Sequence, residues 1–201
     1  MAPGFVYLAS QSPRRRELLH QMGVPFRPVG VAVDEAVRDG EAAPDYVVRL
    51  AIAKAEAGWQ AASAPACALQ AAPVLGADTA VVIDGRILGK PLDREDAVRM
   101  LGELSGRTHS VLTAVAVCEA TGTAWRMSAS EVSFRAIAPI ERRAYADSGE
   151  PEGKAGAYAI QGYGAVFVEQ LHGSYSGVMG LPVFETAELL ARAGVPRWCA
   201  P

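Results

Sequence analysis

The chain has 201 residues, half of them hydrophobic and a fifth charged, with a formal net charge of -3. That length suits one domain with a full hydrophobic core, and residues 1–201 are read as a single domain. The charge balance excludes bulk electrostatic attraction to nucleic acid or to an anionic membrane, so any phosphate binding has to be local.

No apolar run reaches membrane-spanning length, and the N-terminus lacks the charged start of a signal peptide. Cys67, Cys118 and Cys199 are odd in number and far apart, with no CxxC pair. They read as free thiols of a cytoplasmic protein. Of the 19 basic residues only Lys54, Lys90 and Lys154 are lysine, and asparagine is absent. Where arginine replaces lysine so widely, the lysines that persist mark places where a compact ammonium is wanted.

Phe5 to Ala9 is a short apolar run of strand composition. It breaks at Ser10-Gln11-Ser12-Pro13, where Ser12 suits an N-cap and Pro13 the first helical position. The helix then carries Arg14, Arg15, Arg16 and Glu17 to Leu18, Leu19 and Met22, and Gly23 ends it. A capped helix with a solvated basic turn is the plain alternative. Cations at a helix N-terminus oppose its dipole, however, and three in a row need a reason. Free N–H groups and guanidinium forks at a strand-to-helix junction point to a phosphate site.

Pro25 to Val29 is expected to return as a strand, with Asp34-Glu35 on the loop that follows. Pro44 opens a long helix whose apolar positions Val47, Val48, Ala51, Ile52 and Ala55 follow the helical period, and which carries Lys54. The Ala/Pro-rich stretch from Ala61 to Pro73 reads as a surface connection. Val74 to Ile83 is a strand region interrupted at Gly76-Ala77-Asp78-Thr79. Asp84-Gly85 signals a tight hairpin pairing back through Arg86-Ile87-Leu88. Asp78 within an apolar strand is costly unless it is paired or on a metal. Gly89-Lys90-Pro91 is no Walker A loop, since Pro91 stands where Ser or Thr is required.

Asp93 caps a helix from Arg94 to Leu104, with Asp96 three residues on. Two strands, Ser110 to Cys118 and Ala124 to Phe134, flank a turn, and Pro139 starts a helix ending near Asp147 to Gly149. Glu150 to Gly164 is glycine-rich and aromatic, as a loop that brings backbone close to a ligand would be. Val166 to Val168 with the turn at His172-Gly173 suggests a closing hairpin, and Pro182 to Ala193 a last helix. His20, His109 and His172 have no metal spacing and are expected to be structural or solvated. Carboxylates Glu35 and Asp78, set beside so many phosphate-matching cations, suit a metal-assisted polyphosphate site. Holding Mg²⁺, orienting water and accepting its proton all stay open for Asp78.

Six segments, taken in order, resemble the Maf family of nucleoside triphosphate pyrophosphatases. They are Ser10 to Arg15, Val33-Asp34-Glu35, Ala53-Lys54-Ala55, Gly76 to Thr79, Gly89-Lys90-Pro91 and Glu150 to Gly164. The resemblance implies hydrolysis between the α and β phosphates with a divalent cation, Mg²⁺ or Mn²⁺. It implies Asp78 as the catalytic carboxylate and Glu35 as serving the metal or the water. It gives Arg14, Arg15, Lys54 and Lys90 to the phosphates, supported by Ser10 and Ser12. Arg14, Thr79 and Gln161 resemble the specificity positions of the branch acting on dTTP and UTP. A glutamine amide offers both the donor and the acceptor that the uracil or thymine edge needs. The implied fold is an α/β, elongated, two-lobed body with a central mixed sheet flanked by helices and a cleft, similar to inosine triphosphate pyrophosphatase. A cytoplasmic homodimer is implied as well. A pyrophosphatase for a modified purine such as 7-methylguanosine triphosphate, and a septum regulator that binds nucleotide without turnover, stay open as rivals.

Overall fold

The computed structural model describes residues 4–63 and 71–199. One mixed sheet runs through them. Its strands are β1 (Val6–Leu8), β2 (Phe26–Pro28), β3 (Val74–Ile83), β4 (Arg86–Leu88), β5 (Thr108–Glu119), β6 (Gly122–Phe134) and β7 (Val168–His172). Their order is β2-β1-β3-β5-β6-β7, with β4 added to β3. The β1 pairings with β2 and β3 are parallel, and all the others are antiparallel. The helices are α1 (Pro13–Gln21), α2 (Ala43–Ser63), α3 (Arg94–Leu104), α4 (Pro139–Asp147), α5 (Tyr175–Met179) and α6 (Val183–Arg192). None of the described helices is long and apolar enough to cross a membrane.

The β3 strand is the spine. All of it but Ile83 pairs with β5, from Val74 opposite Cys118 to Val82 opposite Ser110. On its other edge β1 covers Val74 and Leu75, and β4 covers Val81 to Ile83. Among the described residues, 76–80 have no strand neighbour on that edge. Two cores lie on either side of this gap, on one face of the sheet. Leu75, Ala77, Val115 and Val117 pack with Leu18 and Leu19 of α1 and Leu189 and Leu190 of α6. Val81, Ile83 and Val111 pack with Leu101, Phe134, Tyr145 and Tyr158. Between them the same face carries Thr79 opposite Thr113. The two-lobed body with a cleft is therefore present, and the polar register at mid-strand divides its lobes.

The opposite face of β3 lies under α2. Val47, Ala51 and Ala55 of its buried stripe are set against Ala80, Ala114 and Ala116, and Gly58 lies against Val74. The approach is so close that a Cβ on Gly76 would stand 2.4 Å from the Ala51 carbonyl oxygen and 2.5 Å from Ala55 N. Only a residue without a side chain fits there.

Most of the expected elements are present, with three corrections. Gly76 to Thr79 does not interrupt β3, because Gly76 and Asp78 face α2, which accommodates both. Val166 to Val168 makes no terminal hairpin. A 3-10 turn, Tyr163–Phe167, leads into β7, which pairs with β6 and runs on into α5. The connection expected from Ala61 begins later, since α2 continues to Ser63, and residues 64–70 lie outside the described residues. The Asp84-Gly85 turn is as expected: φ is 51° and 75°, the type I′ geometry that matches strand twist.

Candidate active site

At the start of α1, Ser12 has extended backbone angles and Pro13 follows at the first helical position. The Ser12 hydroxyl makes no capping bond, contrary to expectation; instead its N–H donates to Ser10 Oγ at 3.2 Å. This local turn points Ser10, Ser12, Arg14 and Arg15 into the cleft beside the β3 gap, and Arg16 away from it. The cleft measures about 1160 Å³ and is also lined by Glu35, Lys54, Asp78, Thr79, Lys90 and Gln161. Every residue expected in the site therefore shares one cavity, which is large enough for a nucleotide.

Asp78 and Lys54 are buried on the α2 face. Lys54 Nζ lies 2.6 Å from Asp78 Oδ1 and 2.6 Å from Glu35 Oε1, and Glu35 Oε2 reaches Lys90 Nζ at 3.1 Å. Charge alternates along the row Asp78, Lys54, Glu35, Lys90. Burial pushes the Asp78 carboxyl upward and outweighs Lys54 and Arg15, which favour its anion. Glu35 suffers desolvation too, but Lys54 and Lys90 overcome it and hold the group down at about 2. So the two carboxylates differ: Glu35 is a fixed anion, and Asp78 is the more basic of the two, as a proton acceptor needs to be. The Glu35 loop is fastened to α2, where Tyr46 Oη donates to the Glu35 carbonyl and Arg49 pairs with Glu41.

Arg15 is anchored on the other face. Its Nε donates to the Gly180 carbonyl at 2.8 Å, Nη1 to Ser10 Oγ at 3.1 Å and Nη2 to Thr79 Oγ1 at 3.4 Å. A guanidinium has five N–H groups, so two remain for a ligand. The Arg14 side chain makes no hydrogen bond to another described residue, and burial depresses its pKa against the pull of Glu17 and Glu150. Gln161 is exposed on the rim, and its side chain is likewise without a hydrogen bond to another described residue. Its loop is tied down from beneath. Glu150 accepts from Tyr145 Oη at 2.7 Å and from the N–H groups of Tyr163 and Gly164 at 2.9 and 3.0 Å.

Sequence reasoning assigned no specific role to Lys154, Thr113 or Glu150. Lys154 lines the cleft, with Nζ donating to the Glu150 carbonyl at 2.5 Å, and burial followed by Arg14 lowers its pKa. All three lysines of the chain therefore face the cleft, as their scarcity hinted. Thr113 left no such signal, being a threonine in an apolar strand, and Glu150 stands out in the sequence only as the first residue of the glycine-rich loop.

A family model described as "Maf-like protein" matches residues 5–193. The chain belongs to the Maf family. Curated relatives over nearly the whole length include proteins named dTTP/UTP pyrophosphatase. One from Burkholderia pseudomallei is 56% identical, covering 95% of this chain and 94% of its own. One from Bordetella avium is 53% identical, covering 94% and 96%. Another, from Aromatoleum aromaticum, is 50% identical, covering 95% and 96%. Among solved structures the Staphylococcus aureus Ham1 protein aligns with a TM-score of 0.43 at 15% identity, over 79% of this chain and 77% of that one.

Proposed function

We propose that this Maf chain is a nucleoside triphosphate pyrophosphatase acting on dTTP and UTP. The observation that carries the reading is the near full-length match to relatives of that name, on a chain whose cleft collects the cations and carboxylates such a reaction needs. Water attacks the α phosphorus, the bond from that phosphorus to the oxygen bridging the β phosphate breaks, and pyrophosphate leaves with the bridging oxygen. Asp78 takes the proton of the attacking water, which suits the more basic of the two carboxylates. Arg15, Lys54 and Lys90 hold phosphate oxygens, with Arg14 and the hydroxyls of Ser10 and Ser12 beside them. Arg14, Thr79 and Gln161 sort the base. The free amide of Gln161 is placed on the rim to meet a donor and an acceptor together.

A divalent cation, Mg²⁺ or Mn²⁺, fits the donor set. Asp78 and Glu35 converge on one point, now taken by the Lys54 ammonium. Mg²⁺ commonly uses one or two carboxylates and completes its shell with phosphates and water. Among the described residues no group of three or more metal-ligating side chains exists, so phosphate oxygens would supply the rest. Bound there, the cation would neutralise charge on the phosphates. Free thiols at Cys118 and Cys199 support a cytoplasmic location; a homodimer rests on the family resemblance alone.

The test is pyrophosphate release from dTTP, UTP, CTP and 7-methylguanosine triphosphate, with and without Mg²⁺. dTTP and UTP should lead, and CTP should trail UTP because its edge reverses the donor and acceptor pattern. Asp78→Asn should keep the fold and nucleotide binding and lose most turnover. Near wild-type turnover in that variant would remove Asp78 from the chemistry, and a preference for the methylated purine would reassign the substrate.

A further inference from the structure

Thr113 lies in β5 directly opposite Thr79, is only 1% exposed and does not line the cleft. Its Oγ1 is 2.7 Å from the Gly177 carbonyl oxygen and 3.0 Å from Thr79 Oγ1. A hydroxyl has one proton, and a carbonyl can only accept. The Thr113 proton is therefore committed to Gly177, and the Thr79 proton makes the bond between the two threonines. Thr79 Oγ1 in turn accepts from Arg15 Nη2 at 3.4 Å. The row is directional, from Arg15 to Thr79 to Thr113 to the Gly177 carbonyl. Arg15 Nε ends on Gly180, three residues along the same segment.

We propose that Thr113 is a positioning residue that fixes the Thr79 hydroxyl as an acceptor toward Arg15 and thereby aims the Arg15 guanidinium into the cleft. Without Thr113 the Thr79 hydroxyl is free to turn its proton toward Arg15, where two donors would meet and the fork would shift. In the register, one buried hydroxyl sets the polarity of a residue facing the ligand, and its own side chain never reaches that ligand. The proposal rests on the phosphate-binding role given to Arg15 in the proposed function.

The test is a double-mutant cycle on Thr113→Val and Thr79→Val, read as kcat/KM for UTP and as affinity for inorganic pyrophosphate by calorimetry. Valine keeps the volume of threonine, and Thr113→Ser keeps both the proton and the lone pairs. Thr113→Val should lose about three- to tenfold in both readouts, the worth of one net hydrogen bond. Thr113→Ser should recover most of that loss. In the Thr79→Val background, Thr113→Val should cost nothing further, because the group it orients is gone. Losses that multiply instead would overturn the proposal, as would a Thr113→Val protein with wild-type pyrophosphate affinity. A wild-type protein that releases no pyrophosphate from UTP or dTTP would end the substrate reading. The pyrophosphate cycle needs no turnover and would still decide the role of Thr113.

Discussion

Lys90 and Arg15 are both cations of the cleft, but they are held so differently that only one of them reports phosphate binding cleanly. Arg15 spends three of its N–H groups on Gly180, Ser10 and Thr79. Its removal would strand those partners and disturb the junction of β1 and α1 as well as the ligand. Lys90 has a side chain 60% exposed and, among the described residues, pairs only with Glu35 across the cleft. Lys90→Ala should leave the melting temperature within a degree or two. It should cost roughly 1.5–3 kcal/mol of triphosphate binding, the range for a hydrogen bond to a charged group. That is about ten- to 150-fold in affinity. The loss should be equal for UTP and CTP, since a phosphate contact does not see the base. Titration of both nucleotides against the variant checks this, and a changed preference with affinity intact would move Lys90 to the base.

At the scale of the elements, the distance between α2 and β3 sets the Lys54–Asp78 contact. Both side chains leave these elements close to the place where Gly76 lets the backbones meet. Gly76→Ala puts a methyl group against Ala51 O and Ala55 N, both backbone atoms that cannot swing aside. The helix must lift, at a cost of about 1–3 kcal/mol for overpacking, and Lys54 lifts with it. Melting temperature and kcat should therefore fall together, with kcat measured well below the transition so that only folded protein is counted. A lower melting temperature with unchanged kcat would show that Lys54 bridges the wider gap unaided. The same packing explains what the sequence concealed. Gly76 and Asp78 look like breaks in a strand because nothing local offsets a glycine or a carboxylate there. Their partners, Ala51, Ala55 and Lys54, sit about 25 residues away on a helix whose period was plain but whose neighbour was not. Thr113 was hidden for the same reason, since only the β3–β5 register makes it the partner of Thr79. The five-residue α5 is too short to show a period, and so the sequence assigns no element to the segment holding Gly177 and Gly180. Capped or hairpin elements, such as α3 behind Asp93 and the Asp84-Gly85 turn, carry their signals within a few residues and were legible.

For the whole molecule, the two lobes differ in how they answer to acid. The lobe built on Phe134 and Tyr158 encloses His109, 2% exposed, with Nε2 bonded to Tyr158 Oη at 2.9 Å and Nδ1 without a partner. Burial lowers its pKa from 6.5 to about 4. The folded state therefore binds this proton less readily than the unfolded chain. Stability from this group is full above pH 6.5 and is lost as the pH falls toward 4. By pH 5 the loss is about 2 kcal/mol, and it reaches about 3 kcal/mol once the pH is below both values. The carboxylates act later: Glu35, held at about 2 after Lys54 and Lys90 outweigh its desolvation, gives up its share only between pH 4.5 and 2. Asp78 has the opposite sign, since its raised pKa makes the folded state the better proton binder, and acid relieves rather than adds to the cost of its burial. The first loss on acidification therefore belongs to the His109 lobe and not to the row from Asp78 to Lys90. Urea unfolding at pH 7, 6 and 5 should show a falling midpoint in the wild type and a much flatter one in His109→Phe, whatever that variant's stability at pH 7. Phenylalanine matches the ring and removes the titration, so the slope with pH is the informative quantity. An equal slope in both proteins would place the titrating group elsewhere.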